Sequence, residues 1–72
     1  MKKIKKIKIK VNGKLKSVPE KYKILDLVKD LNIPLQKVAI ELNQEIMDKN
    51  KISKITLKKD DKMEIVHFIG GG

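Results

Sequence analysis

The residues best suited to chemistry stand at the end of the sequence. Gly70-Gly71-Gly72 follows directly on an apolar segment, Met63 to Ile69. Glycine has no side chain and adopts extended conformations freely, so such a tail can thread a narrow channel in a partner's active site. A terminal glycine carboxylate is also sterically open. Activation by ATP would place an acyl-adenylate there, whose carbonyl carbon a sulfur donor could attack. The globular body would then be the handle and the tail the reactive group. Composition alone allows a flexible tail or a cloning remnant equally well.

Elsewhere the search for catalytic groups returns little. Ser17, Ser53 and Thr56 have no His partner within a recognisable motif, and His67 is the one histidine. The carboxylates, Asp60-Asp61 included, stand in Lys-rich turns and read as solvated charge. Two adjacent carboxylates make a poor metal site, because hard cations need more oxygens around them. No glycine loop opens a helix to cradle phosphate. With no Cys there is neither a disulfide scaffold nor a thiolate zinc site. The chain is expected not to be an enzyme by itself.

Charge narrows the partners. The 72 residues carry 18 basic and 9 acidic side chains, a formal net charge of +9, and every basic residue is Lys. Base-specific recognition leans on the planar guanidinium fork, which Lys lacks. Only Tyr22 and Phe68 could stack on bases. Specific nucleic-acid binding is therefore not expected, and a Lys-rich surface reflecting host composition accounts for the charge. Ile4, Ile7 and Ile9 are separated by Lys, so the first residues contain no apolar targeting core. No apolar run would span a bilayer. The expectation is a cytoplasmic protein, with 72 residues forming one domain around a modest core.

The elements that must position the tail follow from periodicity. Ile7, Ile9 and Val11 alternate with Lys8 and Lys10, the pattern of a half-buried strand. Asn12-Gly13 marks a hairpin turn. A three-residue loop, Val11 to Gly13, sets Leu15 opposite Ile9 and keeps the apolar residues together. The return strand, Lys14 to Val18, ends at Pro19. Ile24, Leu27, Val28 and Leu31 form one apolar stripe on a short helix. Asn32 and Pro34 terminate it, while its start lacks a Ser, Thr, Asp or Asn cap. Val38 to Leu42 and Glu45 to Met47 read as strands around an Asn43-Gln44 turn. Lys49 to Lys54 reads as loop or a single helical turn, and Met63 to Ile69 as the last strand. Helix and strands are segregated, which gives an α+β fold. A mixed sheet of four to five strands on one main helix, the β-grasp arrangement of ubiquitin, fits this order.

Several segments together resemble the ThiS family of sulfur carriers in thiamine-thiazole biosynthesis. They are Ile9-Lys10-Val11-Asn12-Gly13-Lys14, the helix Ile24 to Leu31 with its Pro-containing link, Val38 to Ile46, and Lys62 to Gly72 with its glycine end. The similarity covers nearly the whole length. It implies a single β-grasp sulfur-carrier domain over residues 1–72, with residues 70–72 as the tail. It also implies a cycle: an E1-like adenylating enzyme would use ATP and Mg to adenylate Gly72. A sulfur donor would convert it to a thiocarboxylate, and the sulfur would pass to thiazole synthase. Gly70 and Gly71 would thread the partner's active site. No cofactor would be bound by the chain itself, and no membrane would be involved.

Three features depart from the family's pattern. The turn before the last strand reads Lys59-Asp60-Asp61-Lys62 where Asp-Gly-Asp is usual. The helix lacks the usual Thr or Ser start. The basic charge calls for partners with acidic docking surfaces. Strand parity adds that if Met63 and Ile65 face the helix, Val66 and Phe68 face away and can anchor a partner. The alternative is that the strand twists and Phe68 caps the core. Other functions compatible with the residues are the small subunit of molybdopterin synthase, a ubiquitin-like modifier forming isopeptide bonds, and a basic RNA- or ribosome-binding module.

Overall fold

The computed structural model describes residues 5–68. Two hairpins and a final strand build a five-stranded mixed sheet, with the helix on one face. In chain order the elements are β1 (Lys6–Val11), β2 (Lys14–Pro19), α1 (Ile24–Asp30), a 3-10 turn (Leu35–Lys37), β3 (Val38–Leu42), β4 (Glu45–Ile46) and β5 (Lys62–His67). The strand order is β2-β1-β5-β3-β4. β5 lies in the middle, parallel to β1 and antiparallel to β3. This is the expected α+β, β-grasp topology. Among the described residues no helix is long and apolar enough to cross a membrane.

Alternation decides which side chains enter the core. Ile9, Val18, Val38, Ile40, Met63 and Ile65 project from four strands onto the apolar stripe Ile24, Leu27 and Val28 of the helix. Each fully buried aliphatic side chain contributes about 1.5–3 kcal/mol of transfer free energy. Leu31, the expected end of the stripe, instead forms the helix C-cap and is 37% exposed. The helix ends there because Asn32 turns left-handed (φ 54). Its N–H donates to the Lys29 carbonyl, and that of Ile33 to the Val28 carbonyl. These two bonds make a Schellman cap.

The helix start is anchored from two sides. The Asp26 carboxylate accepts from the Lys23 N–H at 2.9 Å, half of a capping box. The loop before β5 supplies the rest: Ile55 and Ile52 carbonyls accept from Ile24 and Leu25 N–H groups at 3.0 and 3.2 Å. Two donors that any helix leaves unpaired are thus satisfied by a distant segment. Ile52 pins that segment, because its side chain is buried although it stands in a Lys-rich stretch.

The first hairpin differs from expectation. Val11 pairs with Lys14, so the loop has two residues, Asn12 (φ 52) and Gly13 (φ 82). Two consecutive positive φ angles make a type I′ turn, whose twist matches that of the flanking strands. Ile9 therefore faces Lys16, and Leu15 pairs with Lys10 on the outer face, 70% exposed. The turn's twist outweighs the gain from burying one Leu. The second hairpin repeats the geometry with Asn43 (φ 52) and Gln44 (φ 73). The last strand spans Lys62–His67, one residue earlier at its start than expected.

Two measurements follow. Gln44 occupies a left-handed position at a cost of about 1 kcal/mol. Gln44→Gly should therefore raise the thermal midpoint by about 4–8 °C, and an unchanged or lower midpoint would contradict the turn. The Tyr22 hydroxyl donates to the Asp30 carboxylate, joining the segment before the helix to its last residue. That bond, with some burial and the charges of Asp30 and Asp26, raises the Tyr22 pKa above its ordinary 10.0. A phenol held protonated in the fold stabilises it fully below pH about 10, and this contribution is lost as pH rises through the folded value. Ultraviolet titration of this lone Tyr should show the raised midpoint, and Asp30→Asn should bring it down.

Candidate functional site

The glycine tail follows β5 in the sequence, so that strand is the part of the fold that leads to it. β1 ends beside the start of β5, with Val11 opposite Met63. Lys10 and Asn12 N–H groups donate to the Asp61 and Met63 carbonyls, both at 2.9 Å. Past this point the chain turns at Gly13, and the Ile65 N–H would lose its strand partner. The Asn12 side-chain carbonyl takes it instead at 2.7 Å. One asparagine thus shapes the hairpin and extends the β1 ladder along β5.

Asn43 does the same work from the other side. Its N–H donates to the Lys62 carbonyl at 2.7 Å. Its side-chain oxygen accepts from the Lys62 N–H at 3.0 Å, and its amide group donates to the Asp61 carboxylate, also at 3.0 Å. The other oxygen of Asp61 accepts from the Lys58 N–H at 2.7 Å. Asp61 is thus a hydrogen-bonded structural residue, not the solvated charge expected of it. Asp60 takes the left-handed conformation (φ 69). Among the described residues, no group of three or more His, Cys, Asp or Glu side chains is placed to hold a metal ion.

At its far end β5 pairs with β3 through His67 opposite Val38, and the Phe68 N–H donates to the Lys37 carbonyl at 2.9 Å. Met63 and Ile65 are buried against the helix. Val66 and Phe68 face away, 51% and 57% exposed. Phe68 does not cap the core. The Lys49 ammonium lies 5.3 Å from the centre of its ring, a cation–π contact. Val66 is paired with Ala39, so an apolar strip runs across β3 and the end of β5. Gly70, Gly71 and Gly72 lie outside the described residues.

The hydroxyls do not converge on this region. Ser17 is on β2, Ser53 is in the exposed turn before β5, and Thr56 forms an isolated bridge with Lys23. His67 is exposed at the end of β5. What sequence reasoning missed is the pair of asparagine clamps and the Lys49–Phe68 contact. Asn12 and Ile65 are 53 positions apart, so no local pattern announces their bond; the Asn at each turn was the only available signal.

Known proteins share both sequence and fold. The sequence matches the ThiS family model over residues 8–72. The sulfur carrier protein ThiS of Bacillus subtilis is 35% identical over 65 residues, spanning 89% of this chain and 98% of its own length. The thiazole synthase of Paramagnetospirillum magneticum is 35% identical over 66 residues. That match covers 92% of this chain but 20% of the synthase, so the chain spans about a fifth of that protein. The crystal structure of the thiamine biosynthesis protein ThiS from Geobacter metallireducens superposes with a TM-score of 0.81 at 30% identity, covering 92% of this chain and all of that one.

The clamps carry a prediction. Asn12→Ala removes the acceptor of a partly buried N–H and places Ala at a positive φ, so it should cost about 2 kcal/mol or more. Amide exchange at Ile65 should accelerate in the variant; unchanged protection there would show that the side chain does not hold β5.

Proposed function

Because the chain belongs to the ThiS family of sulfur carriers, we propose that its body presents a glycine terminus for activation and that Gly72 carries the sulfur destined for the thiazole of thiamine. The observation that carries this reading is a family match running through residue 72, together with a sheet that sends β5 out beside an exposed apolar strip. An E1-like enzyme binds the body and admits Gly70 and Gly71 into its active site. A Gly72 carboxylate oxygen attacks the α-phosphorus of ATP, and pyrophosphate leaves with Mg. The C–O bond to AMP then breaks as a sulfur nucleophile forms the C–S bond, leaving a thiocarboxylate. The chain supplies position and substrate; ATP and Mg belong to its partner, and the chain binds no cofactor.

Delivery to thiazole synthase is supported by the relatives. A segment similar to this chain occurs within a longer protein named thiazole synthase. A carrier that shares a polypeptide with a synthase is suited to hand it sulfur. The carrier works in the cytoplasm, where ATP and the sulfur donor are at hand. It is a consumed and regenerated co-substrate, not a catalyst.

Val66 and Phe68 are the docking anchors in this reading. Both stand on the strand that leads to the tail, and exposed aromatic residues anchor interfaces well. Phe68→Ala should weaken binding of the activating enzyme about tenfold or more and leave the thermal midpoint nearly unchanged. A large loss of stability would sink the docking role.

The deciding experiment is intact-mass measurement after incubation with ATP, Mg, the adenylating enzyme of the same organism and sulfide. Replacement of one terminal oxygen by sulfur, abolished when Gly72 is deleted, is the expected result. An unchanged mass with an enzyme shown to be active on another carrier would remove the carrier reading.

A further inference from the structure

The outer face of the sheet, opposite the helix, is divided by charge. Toward the end of β5 lie Val66, Phe68 and Ala39. Next come Glu41 and Glu64, paired across β3 and β5. At the other end β1 presents Lys6, Lys8 and Lys10 in alternation, and Lys62 of β5 stands beside Lys10 in the parallel register. Leu15 pairs with Lys10 from β2, and together with Lys8 and Lys62 they border a shallow depression. Asp60 is the acidic group at its rim. Like charges side by side on neighbouring strands destabilise a sheet. A Leu left 70% exposed among them gains nothing for the fold.

Resting on the carrier reading, we infer that this lysine end, centred on Leu15, docks on an acidic surface of the enzyme that activates the tail, with Leu15 seated in an apolar socket there. Every protein ends in a carboxylate, so selection of the right terminus falls to the body behind it. An excess of Lys on one end of the face and an apolar strip on the other orient the carrier before the tail enters. Charges of this kind raise the encounter rate and exclude wrong partners. The occupant is a protein and not a nucleic acid because the anchor is aliphatic, no Arg is present, and the one exposed aromatic of this face, Phe68, lies at its opposite end.

The test is the rate of thiocarboxylate formation by the adenylating enzyme as carrier concentration is varied. Lys8→Glu/Lys10→Glu is compared with Lys29→Glu/Lys54→Glu, which changes net charge equally at exposed positions of the helix and the loop before β5. The first pair should raise KM for the carrier about tenfold or more while kcat holds, and the second should change KM by less than about threefold. Leu15→Ala should raise KM about tenfold without loss of thermal midpoint. Wild-type KM should climb between about 0.05 and about 0.3 M salt. Because Lys10→Glu removes repulsion with Lys62, a lowered midpoint cannot be its expected result, and circular dichroism confirms the fold. Equal effects of the two charge pairs would overturn the proposal, as would an unchanged KM with binding of a single-stranded RNA oligonucleotide lost. If the wild-type chain is not charged at all, the carrier reading falls and this proposal falls with it.

Discussion

Everything that matters about the tail depends on how β5 is held. A strand at the centre of a sheet has two rows of backbone groups to satisfy, and here its neighbours run in opposite directions and end at different points. β1 pairs with the first two residues of β5, Lys62 and Met63, and β3 with the five from Met63 to His67. The mismatch is resolved by side chains at the two hairpin turns. Asn12 continues the ladder that β1 abandons, and Asn43 closes the gap where β3 has already turned. Both residues take positive φ angles, so the conformation that makes each turn also aims its amide at the central strand. Asparagine suits both tasks, because it tolerates the left-handed region and carries a short carbonyl.

The small core is economical for the same reason. A single helix of seven residues cannot persist by its own propensity. Its entry is capped by carbonyls of the loop before β5, and its exit by a Schellman arrangement at Asn32. That loop, itself without regular structure, is pinned by Ile52 and Leu57. Helix, loop and central strand therefore stabilise one another, and none of the three is expected to be stable without the others.

The sequence carried much of this openly. Strand alternation placed β1, β3 and β5, and the Ile24, Leu27 and Val28 stripe placed the helix. The glycine end and its neighbouring segments pointed to the family. What stayed hidden had one of two physical causes. Some features were set by competition: Leu15 read as apolar and so as buried, but the type I′ twist of Asn12-Gly13 fixed the register and carried it outward. Others were non-local: the isolated Ile52, the Asn12 bond to Ile65 and the Asp61 contact with Asn43 join positions whose proximity exists only after folding. The sequence shows that no cap residue precedes the helix, but the remedy lies about thirty residues away in the Ile52 and Ile55 carbonyls.

The bond from the Phe68 N–H to the Lys37 carbonyl closes the pairing of β5 with β3 at the last described residue. A partner that grips the tail and pulls does so along the axis of β5. The bonds on both flanks of that strand lie across the direction of pull, so the load is shared among them in shear and not unzipped one at a time. A body loaded in this way through its last strand resists the pull without coming apart. Mechanical toughness along one axis is then a by-product of putting the terminal strand in the middle of the sheet.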